Sequence, residues 1–137
     1  TIKFFPAGSK TASEYNGGRD VADFVKFLND KANAHRTVSG LLSDAAGKIA
    51  ELDKLAGEFV KADAAGRARI LKDAETFAAK DKSGSADIYV RTMKKVAEQS
   101  DYATKEAGRL QRVLDSGNVA ESRLDNFKTR INILSSF

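Results

Sequence analysis

The residue types that most often carry nucleophilic or metal-dependent chemistry are nearly absent, because the chain has one histidine and no cysteine. His35 lies in a polar stretch without a second histidine, whereas a zinc site takes three or four ligands. No Gly-x-Ser-x-Gly elbow is present to support Ser-His-Asp hydrolysis. We therefore interpret His35 as an ordinary exposed residue and predict no metal, no cofactor, no thiol chemistry and no enzyme activity of the chain's own.

Paired carboxylates and glycines give no stronger signal of catalysis. Asp73 and Glu75, and likewise Glu121 and Asp125, lie beside lysines and arginines on predicted surface faces. A solvated helix surface accounts for them better than a site with perturbed pKa values. The glycines at positions 8, 17 and 18 match no phosphate-binding pattern and are interpreted as turn residues.

The most informative charge pattern is a basic segment. Residues 67–95 hold eight Lys or Arg against four Asp or Glu, an excess equal to the net charge of +4 of the whole chain. Such a surface could meet an acidic peptide or protein loop. The candidate partner-binding cations are Arg91 and Lys95, one turn apart on a predicted helix, and Arg109 and Arg112 on the next one, with Arg123 and Arg130 as extensions. The alternative is that these charges serve solubility alone.

Other partner classes are disfavoured by composition. Residues 1–37 carry six basic against four acidic residues, and residues 38–137 carry seventeen against fifteen, without the strong excess typical of nucleic-acid binders. Apolar runs fall far short of the roughly 20 residues that span a bilayer. We expect a soluble chain that binds neither nucleic acid nor membrane. A signal peptide would have to lie outside the sequence.

The first third of the chain predicts a strand, a turn, a strand and a helix. Residues 1–5 are rich in β-branched and aromatic types and stop at Pro6, and residues 11–16 could form the returning strand. Asp20 is placed to cap a helix whose apolar positions are Val21, Phe24, Val25, Phe27 and Leu28. The unit is too small to stand alone, so its phenylalanines would favour association.

The remainder predicts an all-helical unit after a boundary near residue 37, which separates segments 1–36 and 38–137. Apolar spacing indicates five amphipathic helices that form a bundle. They are predicted near residues 44–61, 64–80, 85–99, 101–114 and 119–135, with Ser85 as a cap and Gly117 as a left-handed stop. On the first of them Ile49, Leu52, Leu55, Phe59 and Val60 are expected on one inward face. The fold class is therefore mainly α, a five-helix bundle preceded by a β-β-α unit.

Particular stretches resemble known families. Thr-Ile-Lys-Phe-Phe-Pro-Ala-Gly-Ser, then Glu-Tyr-Asn-Gly-Gly-Arg and Phe-Val-Lys-Phe-Leu-Asn, resemble the last strands and helix of a protein disulfide isomerase thioredoxin domain over residues 1–33. Residues 38–137 resemble the C-terminal domain of endoplasmic reticulum protein 29, the D domain. The matching stretches are residues 86–96, Glu106 to Leu110, and residues 127–137, which end in the specific Asn-Ile-Leu-Ser-Ser-Phe.

The resemblance implies a non-catalytic C-terminal region of a disulfide isomerase in the endoplasmic reticulum lumen. The Cys-x-x-Cys pair would lie upstream of Thr1, and the family's usual retention tail is missing after Phe137. Implied partners are unfolded or folding secretory polypeptides and chaperones of the calreticulin and calnexin type.

Two alternatives stay open. The bundle could be a structural spacer or dimerisation module without its own ligand, with self-association through the incomplete thioredoxin segment. The apolar candidates Ile133, Leu134 and Phe137 could contact a partner, or they could close the core of the bundle, which amphipathic spacing favours.

Overall fold

The computed structural model describes residues 1–137 and separates them into two units, Thr1–Ser43 and Asp44–Phe137. Six helices and a two-stranded sheet make up its regular structure, which confirms a mainly helical fold with a small β component. The division falls a few residues after the predicted boundary near residue 37. Residues after Ala32 remain tied to the first unit because the Asn29 side chain bonds both backbone groups of Arg36, each at 2.7 Å.

The first unit is a hairpin covered by one helix. Strands β1 (Ile2–Phe4) and β2 (Ser13–Tyr15) pair antiparallel, with Ile2 opposite Tyr15 and Phe4 opposite Ser13. The predicted strands are thus present but shorter than expected. Helix α1 (Val21–Ala32) follows Asp20, whose side chain makes no capping hydrogen bond.

Aromatic rings join the sheet to α1. Phe4 meets Phe27 edge-on at 5.5 Å between ring centroids, and Tyr15 lies 5.1 Å from Phe24 and 4.8 Å from Phe27. No residue of α1 is fully buried, and Val21 in its first turn is 61% exposed. One helix shields one face of the hairpin and leaves its own opposite face in solvent, so the unit has no enclosed core.

His35 lies in the segment after α1 and differs from the prediction. It is half-buried instead of exposed, with φ of 52°, and its carbonyl accepts a hydrogen bond from the Ser43 amide at 2.7 Å. His35 is therefore part of a local backbone turn and is not a freely solvated side chain.

The second unit is helical throughout. Its helices are α2 (Ala50–Lys61), α3 (Ala64–Ala78), α4 (Ser85–Glu98), α5 (Tyr102–Asp115) and α6 (Glu121–Leu134). Helix α4 packs against each of the other four. It is also the helix with the most buried residues, because both of its flanks are covered.

The core of this unit follows the predicted apolar spacing at most positions. The largest fully buried side chains are Tyr89, Phe59, Leu52, Met93, Leu110, Ile133 and Val96. Val60 was expected on the inward face but is 37% exposed, since the face that α2 buries is centred on Leu52, Ala56 and Phe59.

One predicted helix start and one predicted cap are wrong for local reasons. Helix α2 begins at Ala50, not near Asp44, because Gly47 adopts a left-handed φ of 77° that an α-helix cannot contain. A Cβ at Gly47 would also lie 2.4 Å from the Thr129 methyl carbon. Ser85 is the first residue of α4 instead of its cap, and the Asp81 carboxylate accepts the Ala86 amide at 3.0 Å in its place.

Candidate functional site

A groove of about 550 Å³ lies between α4, α5 and α6 in the helical unit. Helix α4 supplies one wall through positions a turn apart, and α6 supplies the other, with α5 closing one end. Side chains of both charge signs and a few apolar groups line it: Ile88, Arg91, Thr92, Lys94, Lys95, Glu98, Tyr102, Glu106, Asn126, Arg130 and Leu134.

The floor of the groove is apolar. Ile88 and Tyr102 are partly buried and pack against the core, and Leu134 is only 5% exposed. Thr92 is buried beside them and satisfies its hydroxyl on the Ile88 carbonyl at 2.8 Å. A ligand side chain reaching the floor would therefore meet hydrocarbon and no unsatisfied polar group.

The rim on α4 is cationic. Lys95 pairs with Glu98 at 3.1 Å and Lys94 with Glu75 at 2.7 Å, and all four side chains are about half exposed or more. Arg91 forms no ion pair, and its Nε donates only to the Asp87 carbonyl at 3.3 Å. Exposed pairs of this kind are weak, so these cations remain available to an acidic ligand.

Glu106 differs from every other charged group in the groove because it is enclosed by arginines. Its side chain is 12% exposed and accepts hydrogen bonds from Nε and Nη2 of Arg109 and from Nη2 of Arg130, all at 2.8 Å. The hydrogen bond from Arg109, aided by the charges of both arginines, lowers the pKa of Glu106 below its ordinary value. The carboxylate is therefore ionised at neutral pH and fixes two helices against each other.

The structure brings together some of the residues proposed from sequence. Arg91, Lys95 and Leu134 all line the groove, and Arg109 lies at its edge through its bond to Glu106. Arg112 is exposed one turn further along α5 and does not line it.

The other two apolar candidates lie against or inside the core. Ile133 is fully buried, and Phe137 is partly buried with its ring 6.3 Å from that of Tyr89. In this conformation Ile133 closes the core, which is the alternative that helical spacing favoured.

Sequence reasoning missed the role of Glu106. The Glu106-x-x-Arg109 spacing predicts an ion pair between residues three apart on a helix, and this is the one sequence signal for the role of Glu106. Its second partner, Arg130, is 24 residues away, and no local pattern indicates that contact.

A second groove of about 570 Å³ lies between α2, α3 and the loop that follows α3. Leu55 and Phe77 give it an apolar base, but acidic and basic groups alternate around it. A ligand in this second groove would therefore meet both positive and negative charges and no surface of a single sign.

Neither a metal-ligating cluster nor a membrane-spanning helix is found. No group of three or more His, Cys, Asp or Glu side chains is placed to hold a metal ion. None of the helices has both the length and the apolar character needed to cross a membrane.

The family model of the C-terminal domain of endoplasmic reticulum protein ERp29 matches residues 47–137, which include all of α2 to α6 and the whole groove. The chain belongs to the ERp29 C-terminal domain family. Within that family domain, the groove residues Arg91, Lys95, Glu106, Arg130 and Leu134 all fall inside the matched range.

Full-length relatives extend the similarity to the hairpin unit. The chain is 40% identical over 141 residues to protein disulfide-isomerase erp38 of Neurospora crassa and 42% identical over 142 residues to protein disulfide isomerase-like 2-2 of Oryza sativa subsp. japonica. It is 42% identical over 137 residues to protein disulfide-isomerase tigA of Aspergillus niger. Each match covers the whole of this chain but only 36–38% of the relative's own length.

Proposed function

We propose that the chain is the non-catalytic C-terminal region of an endoplasmic reticulum protein disulfide isomerase, and that its helical unit binds client polypeptides or partner chaperones. Family membership and the full-length similarity to named disulfide isomerases support this proposal. The chain has no cysteine, so it contributes no dithiol of its own. The proposed location is the lumen of the endoplasmic reticulum, where such isomerases assist oxidative folding.

Within this proposal residues 1–36 are the end of a thioredoxin domain and residues 38–137 are a five-helix D domain. The two short strands followed by α1 have the order expected of such an end. The first unit lacks any fully buried residue, and Phe5 and Val21 are 60% and 61% exposed. Apolar surface of this kind is typical of an element pair that packs on further structure.

The α4–α5–α6 groove is the observation that carries the binding proposal. It combines an apolar floor at Ile88 and Leu134 with a rim where Arg91 has no carboxylate partner. Four of its lining residues are cationic and two are acidic, which favours an extended segment that carries acidic side chains. Segments of unfolded secretory polypeptides and the acidic arms of calreticulin- or calnexin-type chaperones have this character.

Charge reversal tests the proposal. The double variant Arg91→Glu with Lys95→Glu should reduce affinity for an acidic chaperone-arm peptide at least about tenfold, because it converts the rim from attraction to repulsion. The matched control is Lys54→Glu with Lys72→Glu, two exposed lysines outside the groove with the same change in charge. Equal losses in both variants would mean that net charge and not the groove determines binding.

The second candidate function is that of a spacer or dimerisation module. The exposed apolar side chains of the hairpin unit favour it, since Leu28 is also 47% exposed on α1. Sedimentation of this chain beside one that starts at residue 38 separates the two ideas. A monomer fraction that rises when the hairpin unit is removed would favour self-association through that unit, and an unchanged fraction would argue against it.

A further inference from the structure

Glu106 has an unusual position for an acidic residue in a predominantly cationic groove. The other acidic lining residue, Glu98, is 68% exposed, whereas the Glu106 side chain is 12% exposed and receives three N–H groups. Two of these come from Arg109 on the same helix and one comes from Arg130 on α6. Glu106 thus connects α5, which closes one end of the groove, to the α6 wall.

The contact with Arg130 leaves part of that guanidinium unused by Glu106. Arginine has five N–H donors in a rigid planar fork, and Glu106 takes a single bond from Nη2 of Arg130. The Arg130 side chain lines the groove and is 32% exposed. Nε and Nη1 therefore make no bond to Glu106 and belong to a guanidinium that is anchored through Nη2.

We propose that Glu106 is a positioning residue that presents Arg130 to a carboxylate of an acidic polypeptide segment bound in the groove. This inference rests on the proposed function, since it assigns the groove a ligand. A guanidinium that is already oriented loses less conformational entropy when it binds a carboxylate, so its contact is stronger than that of a freely moving side chain. Arg91 and Lys95 attract the segment along α4, and Arg130 fixes one of its carboxylates from the opposite wall.

The competing interpretation predicts an effect of opposite sign. If Glu106 acted only as a negative charge, its removal would make the groove more positive and would strengthen the binding of an acidic peptide. If it positions Arg130, its removal weakens binding in spite of the gain in positive charge. The direction of the change in affinity therefore decides between the two roles.

The decisive variant is Glu106→Gln in the full chain, which removes the charge and keeps the size of the side chain. The probe is a short peptide in which glutamates flank one leucine, with the corresponding glutamine peptide as its neutral counterpart. We expect the glutamate peptide to bind about tenfold more weakly to the variant. The matched control, Glu58→Gln, makes the same change in charge at an exposed site outside the groove and should leave affinity almost unchanged. Tighter binding by the Glu106→Gln variant would overturn the positioning role.

A second variant covers the case in which Glu106→Gln disturbs folding. Arg130→Lys keeps the positive charge but removes the planar fork, and it should also weaken binding of the glutamate peptide about tenfold. If affinity is unchanged in Arg130→Lys, the carboxylate does not bind to an oriented guanidinium and the proposal is wrong.

A measurement without ligand separates this inference from the proposed function. Side-chain ¹⁵N relaxation of Arg130 Nε in the free chain should report an ordered guanidinium that becomes mobile in Glu106→Gln, while Arg91 is mobile in both. Absence of peptide binding to the unmodified chain would refute the proposed ligand whatever the relaxation shows. Equal mobility of Arg130 in the two proteins would refute the positioning role even if the peptide binds.

Discussion

The hydroxyl of Tyr89 donates a hydrogen bond to the carboxylate of Asp53, and this bond joins the central helix α4 to α2. The same hydroxyl accepts the amide of Ile49 at 3.1 Å, just before α2 begins. Ser136, in the segment after α6, donates to the same Asp53 oxygen. One buried phenol thus links the start of α2, the centre of the unit and its C-terminal segment.

Replacement of Tyr89 by Phe should lower the free energy of unfolding by about 1–3 kcal/mol, because it leaves the Ile49 amide and part of the Asp53 carboxylate without a partner. Chemical denaturation followed by circular dichroism measures this change. The control is Tyr102→Phe, which removes a hydroxyl that makes no hydrogen bond in the structure. A loss no larger than that of the control would contradict the role of the network.

Asp81 gives the second prediction, which concerns pH. Its carboxylate accepts the amides of Ala86 and Ser83, and the bond from Ala86 is the main reason that the pKa of Asp81 is lowered. A group with a lowered pKa in the folded state stabilises the fold above its ordinary pKa, and this contribution is lost as pH falls through the folded value. Stability should therefore decrease in acid partly through Asp81.

The variant Asp81→Ala should be less stable at neutral pH by about 1 kcal/mol, as for loss of a helix cap, and the difference from the unmodified chain should shrink as the pH becomes acidic. Thermal unfolding over a pH series measures both effects. Lys82→Ala is the control, since Lys82 is an exposed neighbour outside the capping bonds. A constant difference at every pH would show that the carboxylate charge is not responsible.

The third prediction concerns salt. Arg91 and Lys95 are exposed, so their attraction for an acidic peptide should be strongly screened when the ionic strength rises from 0.1 M, where the Debye length is about 10 Å, to 1 M, where it is about 3 Å. Calorimetric titration should show affinity falling steeply over this range. The neutral glutamine peptide should show little change, and a similar decline for both peptides would argue against charge recognition.

The fourth prediction concerns domain organisation. Every fully buried apolar residue lies between Ala46 and Leu134, so the helical unit encloses its own core. Residues 44–137 should fold when produced alone, with cooperative unfolding and helical circular dichroism similar to those of this segment in the whole chain. Non-cooperative unfolding of the isolated segment would show that the hairpin unit is needed for stability.

The sequence predicted most helices well because their apolar positions repeat with helical period. Helices α3 to α6 lie close to the predicted segments, and Gly117 has the expected left-handed backbone with φ of 71°. The start of α2 could not be placed in this way. Its position depends on Gly47, which packs against Thr129 on α6, a contact that periodicity does not encode.

The candidate site was predictable only in its local parts. Arg91 and Lys95 lie one turn apart, and that spacing alone places them on one face of α4. The contact between Arg130 and Glu106 depends on how α6 packs against α5. Likewise, the hydrogen bond from Tyr89 to Asp53 depends on how α4 packs against α2. These features depend on tertiary packing, which no single segment specifies.

Binding of acidic polypeptide segments in the α4–α5–α6 groove can be observed by NMR titration of the full chain with an acidic chaperone-arm peptide at low salt. We expect amide and side-chain shifts that saturate and cluster at Arg91, Thr92, Lys95, Tyr102 and Arg130, which line the groove. Absence of shifts at millimolar peptide, or shifts that centre on other faces of the helical unit, would contradict it.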